Sequence, residues 1–215
     1  TIAAGATILI DGGGKLGNGS NVYAGAISNA GTLDYDSTAN QTLSGIISGA
    51  GALTITGSGT GALTLTGANT FSGAIDMDTG SLVIGGAGKL GNGSNVYAGA
   101  IANETTLTYS SSATQTLSGA ISGAGAVVKD TDASVLTLSG TNTFSGDLTI
   151  NLGTVDVTGT LAAGVDVVVA DAAAIYAVSA SDTIATLTVG AAGKVQLDSS
   201  QTLTVAGGTK TIAGI

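Results

Sequence analysis

The stretch GALTITGSGTGALTLTG, Gly51–Gly67, holds two short cassettes of one design, each opening Gly-Ala-Leu-Thr and closing on Gly. In the second, Leu63 and Leu65 fall on one side of an extended chain and Thr64 and Thr66 on the other, because successive strand side chains alternate. Period-two alternation bounded by glycine predicts a short strand between turns. QTLSG around Leu43 and GSLVIGG around Leu82 continue the style. Thr, Val and Ile recur in these cassettes, and β-branching favours strand over helix. No segment shows a sustained helical apolar stripe with caps, and the run Ala172–Ala174 is too short to change that.

A longer repetition contains the cassettes. GKLGNGSNVYAGAI, Gly14–Ile27, returns letter for letter as Gly88–Ile101. Over Gly14–Ala52 against Gly88–Ala126, 31 of 39 positions agree at an offset of 74. LTLTGANTFSG at Leu63–Gly73 then returns as LTLSGTNTFSG at Leu136–Gly146, an offset of 73. Further on the letters diverge while apolar parity holds: Ile75, Met77, Leu82 and Ile84 map onto Leu148, Ile150, Val155 and Val157. Repetition of this kind is the mark of a solenoid, whose stacked units bury a continuous core. The expected architecture is all-β: a single right-handed parallel β-helix of about nine or ten coils, roughly 45 Å long at about 4.8 Å per coil. One continuous solenoid is expected over residues 1–215, with repeats at about 14–87 and 88–159 and a divergent continuation at 160–215.

Composition agrees with a thin rod. The 215 residues include 36 Gly, 3% aromatics and no Pro, Cys, Trp or His, and all five basic residues are Lys. Stacked Leu, Ile, Val and Ala are expected to fill the interior without aromatics. Absence of Pro fits strands whose N–H groups are nearly all paired. The regularly spaced apolar cassettes oppose disorder, since they offer surface to bury. A net charge of −9 argues against nucleic acid and anionic lipid, because no basic patch exists to release counterions. No stretch approaches the roughly 20 apolar residues of a membrane helix, so no membrane insertion is expected. The opening TIAAGATILI lacks an initiator Met and a basic leader region, which reads as a processed or excised chain.

ISGAGALTITGSGTGALTLTGANTFSGAIDMDTGSLVIG, Ile47–Gly85, resembles the autotransporter-associated β-strand repeat, and Val135–Val157 fits the same pattern again. The resemblance covers roughly Gly14–Thr158. It implies a parallel β-helix exported to the surface of a Gram-negative bacterium, without specifying activity, since such passengers include adhesins, enzymes and inert stalks. A transmembrane barrel would show as many alternating segments of about 10 residues. The chain lacks them and reads as a passenger fragment or a separate subunit.

Several constellations bear on chemistry. Asp-x-Asp occurs at Asp34/Asp36, Asp76/Asp78 and Asp130/Asp132. Residues two apart on a strand face one way, so each pair would offer two carboxylates to a hard cation such as Ca²⁺. The first pair becomes Thr108 and Ser110 in the second copy, which favours a solvated face there. Asp76, Asp78, Asp130 and Asp132 remain as candidate Ca²⁺ ligands. Glycoside hydrolysis needs two facing carboxylates, and the chain has one Glu (Glu104), no Arg and no His. No substrate clamp or triad can be assembled, so no catalytic residue and no cofactor are expected.

Asn-Gly at 18–19 and 92–93 signals turns. The sequons at Asn18, Asn40, Asn92 and Asn103 read as chance in a Ser/Thr-rich chain. Asn69 and Asn142 at matched turns suggest stacked Asn ladders. Tyr23 and Tyr97 suit either exposed contacts or inward gap filling. Thr54/Thr56 and Thr64/Thr66 present an outward hydroxyl array of the sort that orders water, though the pairs do not persist through every cassette.

The expected function is a non-catalytic structural or adhesive β-helix at the bacterial surface, meeting host or cell-surface components. One alternative is a filament or surface-layer subunit that assembles on itself head to tail, since open solenoid ends expose unpaired strand edges. TIAAG at the start and TIAGI at the end hint at the same. A carbohydrate-active β-helix enzyme is a second alternative.

Overall fold

In the computed structural model, the described residues are 1–17, 19–170, 173–207 and 210–212, with backbone only for 132, 133 and 210–212. The fold is all-β: described strands pair in parallel with strands about one coil away, in a solenoid of about nine turns. Among the described residues no helix is long and apolar enough to cross a membrane.

Three faces wrap the core. On the first, Ile8, Leu33, Leu53, Ile75, Ile101 and Ile121 stack as successive rungs. Beyond Ile121 the Thr143 N–H donates to the Ile121 carbonyl and the Asn142 N–H to that of Thr160, the Leu161 N–H donates to the Asp182 carboxylate, and Asp182 pairs with Leu203. The second face runs Gln41, Leu63, Leu82, Leu107, Val127, Leu148, Val167, Leu187. The third runs Gln115, Leu136, Val155, Tyr176, Val195. Strands after Gly159 pair onto the second and third faces without interruption, so the divergent third of the chain continues the rod.

The cassettes behave as their alternation predicts. In Ala62–Leu65, Leu63 and Leu65 are fully buried while Ala62 and Thr64 are half-buried. Each such inward Leu contributes roughly 1.5–3 kcal/mol by leaving water.

The core differs from expectation in one respect, because it is not free of aromatics. Tyr35, Tyr97, Tyr109, Tyr176, Phe71 and Phe144 are fully buried. Tyr97 packs edge-on to Phe71, with ring centroids 5.7 Å apart. Three of these four tyrosines place their hydroxyls on backbone carbonyls at the coil corners: Tyr35 donates to Ala39, Tyr109 to Ala113 and Tyr97 to Gly73, while the Tyr176 hydroxyl is buried without a hydrogen-bond partner among the described residues. A second departure is Lys129, buried between the rungs of Tyr109 and Ile150. Its ammonium donates to the Thr131 carbonyl and lies 5.9 Å from the Tyr109 ring centre, an arrangement that offsets burial of the charge.

Many bounding glycines have a reason beyond turning. A Cβ on Gly45, Gly67, Gly119, Gly140 or Gly159 would lie 2.1–2.4 Å from the carbonyl oxygen of a glycine one coil earlier. None of the five has positive φ. Glycine stands there because the corners of successive coils approach too closely for a side chain.

Candidate functional site

The 74-residue sequence repeat is not a whole number of coils. Leu33, Leu53, Ile75 and Ile101 are successive rungs of the first face. Leu107, the counterpart of Leu33, lies one strand further on, in the second face. Equivalent residues of the two copies therefore sit three turns and one face apart, and the rod does not present the repeated block along a single side.

What does line up is a column of β-branched residues. The outward rungs of the second face are Val22, Thr42, Thr64, Val83, Thr108, Val128, Thr149, Val168 and Thr188. Their strand neighbours around Thr64, Val83 and Thr108 are Ala62 and Thr66, Ser81 and Gly85, Thr106 and Ser110, none charged, whereas Asp130, Asp147 and Asp166 flank Val128, Thr149 and Val168. Strands about 4.8 Å apart bearing side chains stiff at χ1 make this a flat, regular strip, uncharged over its first five rungs. The outward Thr array thus persists as one Thr/Val column and not as Thr-x-Thr pairs. The pattern was visible only one cassette at a time, because coil length varies from 19 to 26 residues.

The acidic residues take other work. Asp34 accepts from the Thr56 hydroxyl at 3.0 Å, and Asp36 from the N–H groups of Ser58 and Gly59 at 2.7 and 2.6 Å. Glu104 accepts from the Ala124 N–H, Asp130 from the Asn151 amide and Asp166 from the Thr186 hydroxyl. Each donor lies one coil onward, so these carboxylates staple neighbouring coils.

Asp76 faces outward between Thr54 and Ala102. Partial burial, with Asp78 and Glu104 nearby, pushes its carboxyl up from the ordinary range. The side chain of Asp132 lies outside the described set. Among the described residues no three acidic, His or Cys side chains converge to hold a metal.

Polar pins inside the rod were only partly foreseen. Asn69 accepts from the Ile47 N–H at 2.9 Å and Asn142 from the Ile121 N–H at 3.1 Å. They do not stack on each other; each ties its own coil to a neighbour. Asn29 and Asn103, the latter buried within one of the sequons, do similar work toward Ala52 and Ala126. Gln41 and Gln115 hold the Gly-rich loops, accepting from the N–H groups of Leu16 and Leu90. Ser37 and Ser111 donate to Gly14 and Gly88. All three pairs are polar letters that survive the 74-residue offset, the signal by which they can be found. Asn92–Gly93 forms an exposed turn with Gly93 at φ 88°, and Asn18 lies outside the described residues.

Tyr97 is wholly buried and Tyr23 half-buried, so inward gap filling describes the block's tyrosine. Burial also pushes the Tyr109 hydroxyl up to about 12 and that of Tyr176 further, which leaves both as neutral phenols at ordinary pH.

An open depression of about 380 Å³ lies beside Thr160, Ser181, Asp182, Thr183 and Thr202. Asp182 is its one carboxylate and already accepts from the N–H groups of Leu161 and Thr183, at 3.0 and 2.9 Å. It accepts from the Leu161 N–H as Asn142, two coils earlier, accepts from that of Ile121. No second carboxylate lines the depression to supply a hydrolytic pair.

Comparison with known proteins returned no match among family models, curated proteins or solved structures. The class that the fold defines is a parallel β-helix, and the fold by itself assigns no activity.

Proposed function

We propose that this chain is a non-catalytic structural and adhesive rod of a Gram-negative cell surface, presenting its second face to host or cell-surface components. The observation that carries the reading is the nine-rung Thr/Val column, whose first five rungs have no charged neighbour two residues along their strands. The resemblance of Ile47–Gly85 to the autotransporter-associated β-strand repeat supports the extracellular setting.

The adhesive reading is tested with beads coated in the purified chain and passed over cell-matrix or epithelial-cell layers. Retention several-fold above albumin-coated beads is expected. A triple variant, Thr64→Lys, Thr108→Lys and Thr149→Lys, should abolish it without moving the urea midpoint appreciably. Equal retention of the two chains would sink the assignment of the face.

A further inference from the structure

The Asn-Gly step of the repeated block takes no part in the rod's packing, which sets Asn92 apart from the pinning asparagines. Asn29, Asn69, Asn103 and Asn142 are buried, and their side chains bond backbone groups of neighbouring coils. Asn92 is exposed. Among the described residues its side chain takes one hydrogen bond, from the Ser94 hydroxyl at 3.3 Å within the same turn.

The loop is held at both ends and open in the middle. Leu90 is buried, with its N–H on the Gln115 side chain. Asn95 accepts from Gln115 and Thr116 through its backbone carbonyl and from the Lys89 ammonium through its side chain. Between these anchors Asn92, Gly93 and Ser94 are exposed. The Gly93 N–H donates to the Gly91 carbonyl at 2.8 Å, closing a three-residue turn. Gly93 has φ 88°, and a Cβ there would meet nothing within 4 Å. Having no side chain, Gly93 leaves the path from its nitrogen to the Asn92 side chain unobstructed.

We propose that Asn92 is a site of spontaneous covalent modification, converting by hydrolysis to isoaspartate and aspartate. The Gly93 nitrogen gives its proton to water and attacks Asn92 Cγ. A new N–Cγ bond closes a succinimide ring as the Cγ–Nδ2 bond breaks, and the amide leaves as ammonia with a proton taken from water. Water then adds to one of the two ring carbonyls. Opening at Cγ gives aspartate; opening at the backbone carbonyl gives isoaspartate, in which the chain runs through the former side chain. Nothing is oxidised or reduced, and water is the co-reactant.

The Ser94 hydroxyl on Asn92 Oδ1 draws charge from Cγ and favours the attack. The bond from Gly93 to Gly91 opposes it, but that bond lies at an exposed loop tip, where local opening costs least. Conversion puts a carboxylate where the block carries a neutral amide. Leu90 and Tyr97, the buried residues on either side, stay in place, so the rod keeps its stability.

The test is to age the full chain in heavy-oxygen water, mildly alkaline and at body temperature, then unfold it and cut after lysine in ordinary water. The peptide Leu90–Lys129 carries Asn92, Asn95 and Asn103, followed by Gly, Val and Glu, so one peptide holds its own controls. Fragmentation in the mass spectrometer should show Asn92 gaining heavy oxygen several-fold faster than either of the others. A protein isoaspartyl methyltransferase should label this peptide from the aged chain and not from the fresh one. Asn92→Gln should remove that label, because its longer side chain closes the ring far more slowly, with the urea midpoint unchanged as the check on folding.

Heavy oxygen entering Asn92 no faster than Asn95 overturns the proposal. Conversion to aspartate alone, without methyltransferase labelling, overturns the succinimide route by showing direct hydrolysis of the amide. Labelling of the peptide that survives in Asn92→Gln overturns the assignment to this residue.

Discussion

Gly14–Ile27 and Gly88–Ile101 have identical letters and unequal structures. Leu90 and Tyr97 are each 1% exposed, while Leu16 and Tyr23 in the first copy are only half-buried. Tyr97 rests edge-on against Phe71 and donates to the Gly73 carbonyl of the coil before it. The first copy sits in the opening coil and has no coil before it among the described residues. In a solenoid a block's burial comes from its neighbour, so the same residues are core in one place and rim in another.

The sharpest way to break this comparison is truncation of the tyrosine. Tyr97→Ala removes a fully buried ring and should cost about 3–5 kcal/mol, whereas Tyr23→Ala should cost less than half as much. Urea unfolding of the two variants measures both. Equal losses would show that Tyr23 is as well covered in solution as Tyr97.

Next in size is the loop pin. Gln115→Ala orphans the Leu90 N–H and removes one of two donors to the Asn95 carbonyl, at roughly 1–3 kcal/mol for a buried group left unpaired. Gln41→Ala frees the Leu16 N–H and carbonyl at the rim, where water replaces the amide, and a smaller loss is expected. Amide hydrogen exchange at Leu90 and Leu16 reads out the difference directly.

Glycine offers a third contrast. A Cβ at Gly99 would meet the Tyr97 ring and the Gly73 carbonyl at 2.8 Å, while at Gly25 it would meet only the Tyr23 side chain. Gly99→Ala should therefore cost about 1–3 kcal/mol by overpacking. Gly25→Ala should cost little, because the half-buried Tyr23 can swing aside. Thermal unfolding distinguishes them.

The smallest expected effect concerns Asp182, which stands where the other coils use Asn142 or Asn69. Burial pushes its carboxyl up, outweighing the opposing N–H groups of Thr183 and Leu161. A raised folded-state value means that the native chain favours the protonated form. The stabilisation belonging to that form is complete below the unfolded carboxylate range and is lost as pH rises through the folded value. Asp182→Asn should accordingly gain about 1 kcal/mol at neutral pH, the size of a net buried hydrogen bond. The gain should vanish in acid, and urea midpoints at pH 7 and pH 3 test it.

Much of the rod was legible in the letters. The alternation of Leu63, Thr64 and Leu65 set inward and outward sides, and the apolar parity from Ile75 to Ile84 was kept by Leu148 to Val157. The surviving polar letters Gln41/Gln115 and Ser37/Ser111 marked the pins, although their partners were not readable. Asp34 and Asp36 read in the letters as a solvated face. A carboxylate on a strand faces its own neighbours two along, but it also faces the next coil, and Asp34 and Asp36 spend their oxygens on Thr56, Ser58 and Gly59. The aromatic core was missed because composition counts rings without showing that corner carbonyls wait for their hydroxyls.

By itself, then, the sequence determined that this chain builds short glycine-bounded strands, repeats them and stacks them in parallel, because alternation and turn chemistry are local. Tertiary structure alone decided which face each residue lands on. Coils of 19 to 26 residues do not divide the 74-residue repeat, so pairing between coils turns identical blocks onto different sides. That pairing assembles the Thr/Val column from unequal cassettes.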